Sequence, residues 1–70
     1  MQDRDMEMRF GIVAVKKGIV EIDNVVKALE IQVKEELALG RHRKIGMILL
    51  EQGLIKSHQI DEVLREMEKG

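Results

Sequence analysis

The sequence predicts an all-α fold, a four-helix domain built from two tandem helix-turn-helix repeats. The main observation is an internal repeat, because a shift of 35 residues superposes Gly11 on Gly46 and Gly18 on Gly53. The same shift pairs four apolar positions: Phe10 with Ile45, Val20 with Ile55, Val25 with Ile60, and Leu29 with Leu64. The 70-residue chain also has no proline and is 44% hydrophobic and 36% charged, which suits one small helical domain over residues 1–70.

The first helix is predicted over residues 6–17, although its apolar residues fit two patterns. Every second residue from Met6 to Ala14 is apolar, as in a β-strand. Phe10, Val13 and Ala14 follow helical spacing instead. The second copy favours the helix, since its apolar residues at 45, 48 and 49 stand at i, i+3 and i+4. We expect residues 1–5 to fray and Gly18 to end this helix in a left-handed conformation.

The second helix is predicted over residues 21–39, with Gly40 as its C-terminal cap. Six residues form its predicted inward stripe: Ile22, Val25, Val26, Leu29, Val33 and Leu37. Charged residues such as Lys27 and Lys34 lie outside that stripe. Ile31 falls on the opposite side of the helix, so its side chain is expected to be exposed, and Leu39 is expected to be exposed as well.

The third and fourth helices are predicted over residues 44–52 and 57–69, separated by a left-handed turn at Gly53. Ser57 is the predicted N-terminal cap of the fourth helix. Its predicted inward residues are Ile60, Val63, Leu64 and Met67. The two repeat copies then span residues 9–32 and 44–67, each forming an antiparallel helix pair.

Composition and local sequence exclude several classes of protein. The polar, mixed-charge start of the chain is not typical of a signal peptide. The longest apolar runs in the whole sequence are too short to span a bilayer. The chain has no cysteine, so it forms no disulfide, and we expect a cytoplasmic location. The net charge of −1 gives no general attraction to nucleic acid or anionic lipid. The run from Arg41 to Lys44 is the one local concentration of positive charge.

The reactive side chains are too few for us to expect an enzyme. The single serine, Ser57, is followed directly by His58, and neighbouring residues on a helix point about 100° apart. Neither His42 nor His58 has the carboxylate spacing of a zinc site. The fourth helix is too acidic to act as a DNA-recognition helix, so we expect no nucleic-acid partner.

The first copy, from Arg9 to Gln32, resembles the repeated motif RLGxxLxxxGxIxxxxLxxxLxxQ of the N-terminal domains of type II secretion and type IV pilus assembly ATPases (the GspE N-terminal-like family). Arg9, Phe10 and Gly11 stand at the opening triplet, Gly18 at the middle glycine and Gln32 at the closing glutamine. The second copy keeps the scaffold positions, but Lys44 replaces the arginine and Met67 the glutamine. Its spacer, residues 33–43, is also longer than the spacer that is usual in the family.

In the MshE-like branch of this family, two tandem copies bind cyclic di-GMP. The resemblance therefore implies a set of candidate nucleotide-binding residues: Arg9, Phe10, Gly11, Gln32, Lys44, Ile45 and Gly46. A glycine near a helix start leaves backbone N–H groups accessible to phosphate, and an adjacent arginine can pair with phosphate or stack on guanine. The glycines and apolar positions are equally consistent with helix packing and a core. No cofactor or metal is expected apart from this ligand.

The family's ATPases carry this domain ahead of a motor with a phosphate-binding loop, and this chain has no GxxxxGK[ST] motif. We therefore expect a non-enzymatic regulatory or adaptor module of bacterial secretion or pilus systems, with cyclic di-GMP binding as the alternative. Its partner is expected to be another protein or a second copy of itself. The sequence has more apolar residues than one core needs, and the predicted interaction surface comprises Ile12, Val15, Ile31, Met47 and Leu50.

Overall fold

The computed structural model contains four α-helices, and it describes the backbone of residues 2–69 and the side chains of residues 5–69. The helices are α1 (Gln2–Lys16), α2 (Ile22–Leu39), α3 (Ile45–Glu51) and α4 (Ser57–Lys69). No strand occurs within residues 2–69. The predicted all-α, four-helix fold is confirmed. None of the described helices is long and apolar enough to cross a membrane.

α1 begins earlier than the sequence predicts. Its first residue is Gln2, so the expectation that residues 2–5 fray is wrong, while the same expectation for Met1 lies outside the described residues. The other predicted bounds agree with the structure to within one residue.

The two copies form the same turn between their helices. Gly18 and Gly53 both have φ of 75°, in the left-handed region, as predicted. After α1, the Ile19 N–H donates to the Ala14 carbonyl at 3.0 Å, and the corresponding bond runs from Leu54 to Leu49 at 3.0 Å. Each turn thus returns the N–H three residues past the last helical residue to a carbonyl five residues earlier.

The second helices of the two copies also begin in the same way. The N–H of Glu21 donates to Asn24 Oδ1 at 3.2 Å, and the N–H of Lys56 donates to Gln59 Oε1 at 2.9 Å. The predicted cap at Ser57 is wrong, because Ser57 is the first helical residue and Lys56 precedes the helix. In both copies, the N–H of the residue before the helix is therefore bonded by the side-chain amide oxygen of the third helical residue, and not by a serine hydroxyl.

The core lies where the two copies meet. α1 packs most extensively on α4, and α2 packs most extensively on α3, so each copy covers the other. Ten apolar residues are buried there: Phe10, Ala14, Val20, Val25, Ala28, Ile45, Ile48, Leu49, Ile55 and Val63. Most of them are pairs under the same 35-residue shift, as with Ala14 and Leu49. The core is therefore assembled from equivalent positions of both copies.

α2 buries a different face from the predicted one. Its buried residues are Val25, Ala28 and Gln32, while four members of the predicted stripe are exposed: Ile22, Val26, Val33 and Leu37. Ile31, predicted to be exposed, is partly buried against the core. Ala28 allows close helix approach, and the hydrogen bonds of Gln32 satisfy its buried amide. These two features stabilise a face that hydrophobicity alone does not predict.

α4 agrees with the sequence expectation except at one residue. Val63 is buried, and Ile60 and Met67 are partly buried against the core. Leu64, predicted to face inward, is 44% exposed, because it lies at the edge of the buried face beside a surface groove. In the first copy its counterpart Leu29 is partly buried and packs on the core.

Candidate functional site

The carboxylate of Glu7 and the side-chain amide of Gln32 connect the start of α3 to α1 and α2 by hydrogen bonds. Glu7, which is only 7% exposed, extends from α1 and accepts a hydrogen bond from the backbone N–H of Ile45. Gln32, fully buried on α2, donates to Glu7 Oε1 at 3.2 Å and to the carbonyl of Arg43 at 2.8 Å. The Ile45 N–H, one of the backbone groups that a phosphate would use at the start of α3, therefore already binds a carboxylate.

The two motif glycines are packing residues in this structure. Gly11 lies inside α1 rather than near a helix start, so the prediction that it offers free N–H groups is wrong. A Cβ at Gly11 would come within 2.5 Å of Val25 Cγ1 on α2. A Cβ at Gly46 would lie 3.2 Å from the ring of Phe10. Each glycine therefore lets another helix approach closely.

A surface groove of about 350 Å³ runs between α1, α3 and α4. Ten residues line it: Met6, Glu7, Phe10, Lys44, Ile45, Gly46, Met47, Ile60, Leu64 and Met67. Three of its apolar side chains are substantially exposed, namely Met6 at 47%, Met47 at 52% and Leu64 at 44%. The groove is thus mainly apolar, with the Lys44 side chain as its exposed charge.

The groove continues into a shallower depression. Both are bordered by Met6, Leu64 and Met67, and the second one is completed by Arg9 and Glu68. The structure therefore brings four of the predicted ligand residues together in the groove: Phe10, Lys44, Ile45 and Gly46. Arg9 is exposed in the neighbouring depression. Gly11 is buried against α2, and the buried Gln32 is hydrogen-bonded to Glu7 and to the Arg43 carbonyl.

The predicted interaction surface does not form one patch. Ile12 and Met47 are exposed, at 47% and 52%, and only Met47 lines the groove. The remaining three, Val15, Ile31 and Leu50, are partly buried and pack on the core. A short apolar run on a helix necessarily places some members inward, and the core takes up these three.

The basic run beside the groove is largely neutralised by α2. Arg43 donates to Glu35 from Nε at 3.0 Å and from Nη2 at 2.8 Å, and it also reaches Glu51 on α3. The hydrogen bond from Arg43 lowers the pKa of the Glu35 carboxyl, and the same pair raises the pKa of Arg43. His42 lies 2.6 Å from a carboxylate oxygen of Glu36. Arg43 therefore links α2 to α3 through its ion pairs with Glu35 and Glu51 and is not a free cation.

Sequence reasoning missed Glu7, Met6 and the groove contribution of Leu64. Glu7 stands between two methionines, where a buried carboxylate is not expected. The repeat carried a usable signal for Gln32, because its counterpart is Met67, which was predicted to face inward. Applying the shift of 35 residues to the inward face of the fourth helix would have placed Gln32 inside.

The described side chains contain no cluster of three or more histidine, aspartate or glutamate residues that could hold a metal ion. The chain was compared with protein-family models, with curated proteins and with solved structures. None of the three comparisons found a match.

Proposed function

We propose that this chain is a non-enzymatic, cytoplasmic regulatory or adaptor module that binds another protein through the groove between α1, α3 and α4. The observation that carries this proposal is the exposed apolar rim formed by Met6, Met47 and Leu64. Contiguous exposed apolar side chains in a concave surface are typical of protein-binding sites. Methionine side chains suit such a surface, because they adapt to the shape of a bound segment.

The occupant that fits this groove best is the apolar face of an amphipathic helix from a partner protein. Grooves between helices commonly accept such a face. Lys44 in the groove and Arg9 in the adjoining depression are exposed cations, so acidic residues flanking the apolar face would complement them. The resemblance to secretion and pilus ATPase N-terminal domains makes a component of such a system the first partner to test.

Cyclic di-GMP is the weaker candidate for the same region. Its phosphate would have to compete with the Glu7 carboxylate at the Ile45 N–H, and Gln32 is occupied by Glu7 and the Arg43 carbonyl. A negatively charged ligand beside a carboxylate is disfavoured by like-charge repulsion. An apolar helix face requires neither group to move.

Site-specific photocrosslinking tests the protein partner. A photoreactive residue in place of Met47 should capture one protein in cells, and the same residue in place of Ile12, which is exposed on α1 outside the groove, serves as the control. Leu64→Glu should abolish the capture without unfolding the chain, since Leu64 is 44% exposed. A purified helical segment of the captured protein should then bind with 1:1 stoichiometry. Equal capture from both positions, or capture unaffected by Leu64→Glu, would refute the groove.

Methionine methyl NMR separates the two ligands. Met6, Met47 and Met67 line the groove, whereas Met8, also 47% exposed, does not, so its methyl signal is an internal control. We expect the helical segment to shift the three groove methyls and cyclic di-GMP to leave them unchanged. Saturable shifts with cyclic di-GMP, strengthened by Glu7→Gln, would replace the protein partner with the nucleotide.

A further inference from the structure

The sulfur atoms of this chain are concentrated in the groove between α1, α3 and α4. Three of the four methionines whose side chains the structure describes line it: Met6 from α1, Met47 from α3 and Met67 from α4. Met6 and Met47 are 47% and 52% exposed, and Met67 is partly buried. The fourth, Met8, is also 47% exposed but does not line the groove. Small dissolved molecules can therefore reach thioether sulfur inside the groove.

Methionine is the main target that this chain offers to a two-electron oxidant such as hydrogen peroxide. Such oxidants modify cysteine thiolates and methionine thioethers, and the sequence has five methionines but no cysteine, tryptophan or tyrosine. No thiolate therefore competes with the methionines for the oxidant. Since exposed sulfur reacts before covered sulfur, oxidation acts mainly on Met6, Met8 and Met47, two of which line the groove.

Oxidation of a groove methionine reverses the property that suits it to an apolar partner. A lone pair of the thioether sulfur attacks one oxygen of the peroxide, the O–O bond breaks, and the products are a sulfoxide and water. The sulfur loses the two electrons that the peroxide gains, and the side chain becomes polar. A partner covering Met6 and Met47 would then bury sulfoxide oxygens, which costs free energy where no hydrogen-bond donor meets them. The apolar face of a helix offers no such donor.

The fold itself does not depend on these sulfur atoms. None of the ten buried apolar residues is a methionine, and of the three groove methionines only Met67 is packed against them. Oxidation at Met6 and Met47 therefore changes the surface of the groove and leaves the core intact. A change confined to a binding surface can be reversed without refolding the chain, which distinguishes a switch from oxidative damage.

From these observations we infer that the groove is a reversible redox switch, in which oxidation of Met6 and Met47 to methionine sulfoxide releases the partner. The inference rests on the proposed function, because it assigns a regulation to the same groove. Methionine sulfoxide reductases, one for each sulfoxide epimer, restore the thioethers. In that step two thiols of the reductant become a disulfide, and the sulfoxide oxygen leaves as water. A bound partner covers both sulfur atoms, so the free chain is the form that is oxidised.

Treating the purified chain with hydrogen peroxide and removing the oxidant before mixing tests the switch. Peptide mass spectrometry should find sulfoxide at Met6, Met8 and Met47, and the helical circular dichroism signal should be unchanged. The helical segment of the protein captured from position 47 is the binding probe. Its dissociation constant should rise at least about tenfold on oxidation of the chain, and return after treatment with both reductases and dithiothreitol.

Two leucine variants separate the groove methionines from the remaining ones. The triple variant Met6→Leu/Met47→Leu/Met67→Leu keeps apolar side chains of similar volume, so peroxide should leave its own dissociation constant unchanged. Met8→Leu should respond to peroxide as the wild type does, because Met8 lies outside the groove.

The outcomes distinguish the switch from the function on which it rests. Equal affinity of the oxidised and untreated wild-type chains, or loss of the helical signal on oxidation, would overturn the switch and leave the protein-binding groove standing. An effect of peroxide that persists in the triple variant would overturn it as well. An untreated chain that binds no helical segment would overturn the proposed function, and the switch with it.

Discussion

At the scale of single residues, the contact between Gly11 and Val25 sets how closely α1 and α2 approach. A Cβ added to Gly11 would lie 2.5 Å from Val25 Cγ1, well inside van der Waals contact. Valine has few alternative rotamers on a helix, so it cannot easily move aside. Two effects of Gly11→Ala therefore compete: overpacking costs about 1–3 kcal/mol, and alanine's better helix propensity returns up to about 1 kcal/mol.

We accordingly expect Gly11→Ala to lower the free energy of unfolding by about 1–2 kcal/mol, as measured by urea denaturation. The sign should reverse in a Val25→Ala background, where Cγ1 is absent and only the gain in helix propensity of about 0.5–1 kcal/mol remains. If Gly11→Ala destabilised both backgrounds equally, the close contact with Val25 would not be the reason for glycine at this position.

At the scale of helices, the repeat was a better guide to orientation than the hydrophobicity of each helix. The inner face of α4 was predicted well, with Ile60, Val63 and Met67 all buried or partly buried. Shifting those positions back by 35 residues gives Val25, Ala28 and Gln32, which is the buried face of α2. Hydrophobicity alone selected the wrong face of α2, because it counts Gln32 as a surface residue and cannot anticipate its bonds to Glu7 and the Arg43 carbonyl.

Only some of the residues that line the groove could be predicted from the sequence. The resemblance selected Phe10, Lys44, Ile45 and Gly46, which do line one concave surface. It also selected Gly11, which packs closely against Val25, and Gln32, which is hydrogen-bonded to Glu7. Glu7 could not be found, because its role depends on a contact across 38 positions of sequence with Ile45. Local patterns carry no information about a contact at that separation.

The ion pair between α2 and its connection to α3 predicts a pH dependence of stability. The pKa of Glu35 is lower in the folded chain than its ordinary value, mainly through the hydrogen bond from Arg43. The pair therefore stabilises the fold above the pKa of the unfolded chain, and this contribution is lost as the pH falls through the folded pKa. Glu35→Gln removes the titrating group, so its stability deficit relative to wild type should shrink as the pH is lowered.

Urea denaturation at a series of pH values between neutral and acidic measures this deficit. Arg43→Met should show the same convergence with wild type at low pH, because it removes the cause of the shift. At neutral pH the Glu35→Gln/Arg43→Met double variant should lose less unfolding free energy than the sum of the losses in the two single variants, because both substitutions disrupt the same interaction. A Glu35→Gln deficit that stays constant with pH would exclude the Glu35–Arg43 pair as the source.

At the scale of the whole molecule, the two copies depend on each other. The principal contacts run from α1 to α4 and from α2 to α3, so the buried face of each copy is covered mainly by the other copy. Isolated helices of this length are marginal in water. Ala14 and Leu49, equivalent in the repeat and both 0% exposed, lie in one shared core rather than in two. Folding should therefore require both copies.

Cutting the chain in its exposed connection, after Gly40, should accordingly give fragments 1–40 and 41–70 that are mostly unfolded alone. Mixed in equal amounts, they should recover the helical circular dichroism signal and a cooperative melt, because each supplies the surface that the other buries. A 41–70 fragment carrying Leu49→Asp should fail to complement, since it would bring a charge into the shared core. Cooperative folding of either fragment by itself would show instead that each copy is an independent unit, and that the cross-packing of α1 with α4 is not what stabilises the fold.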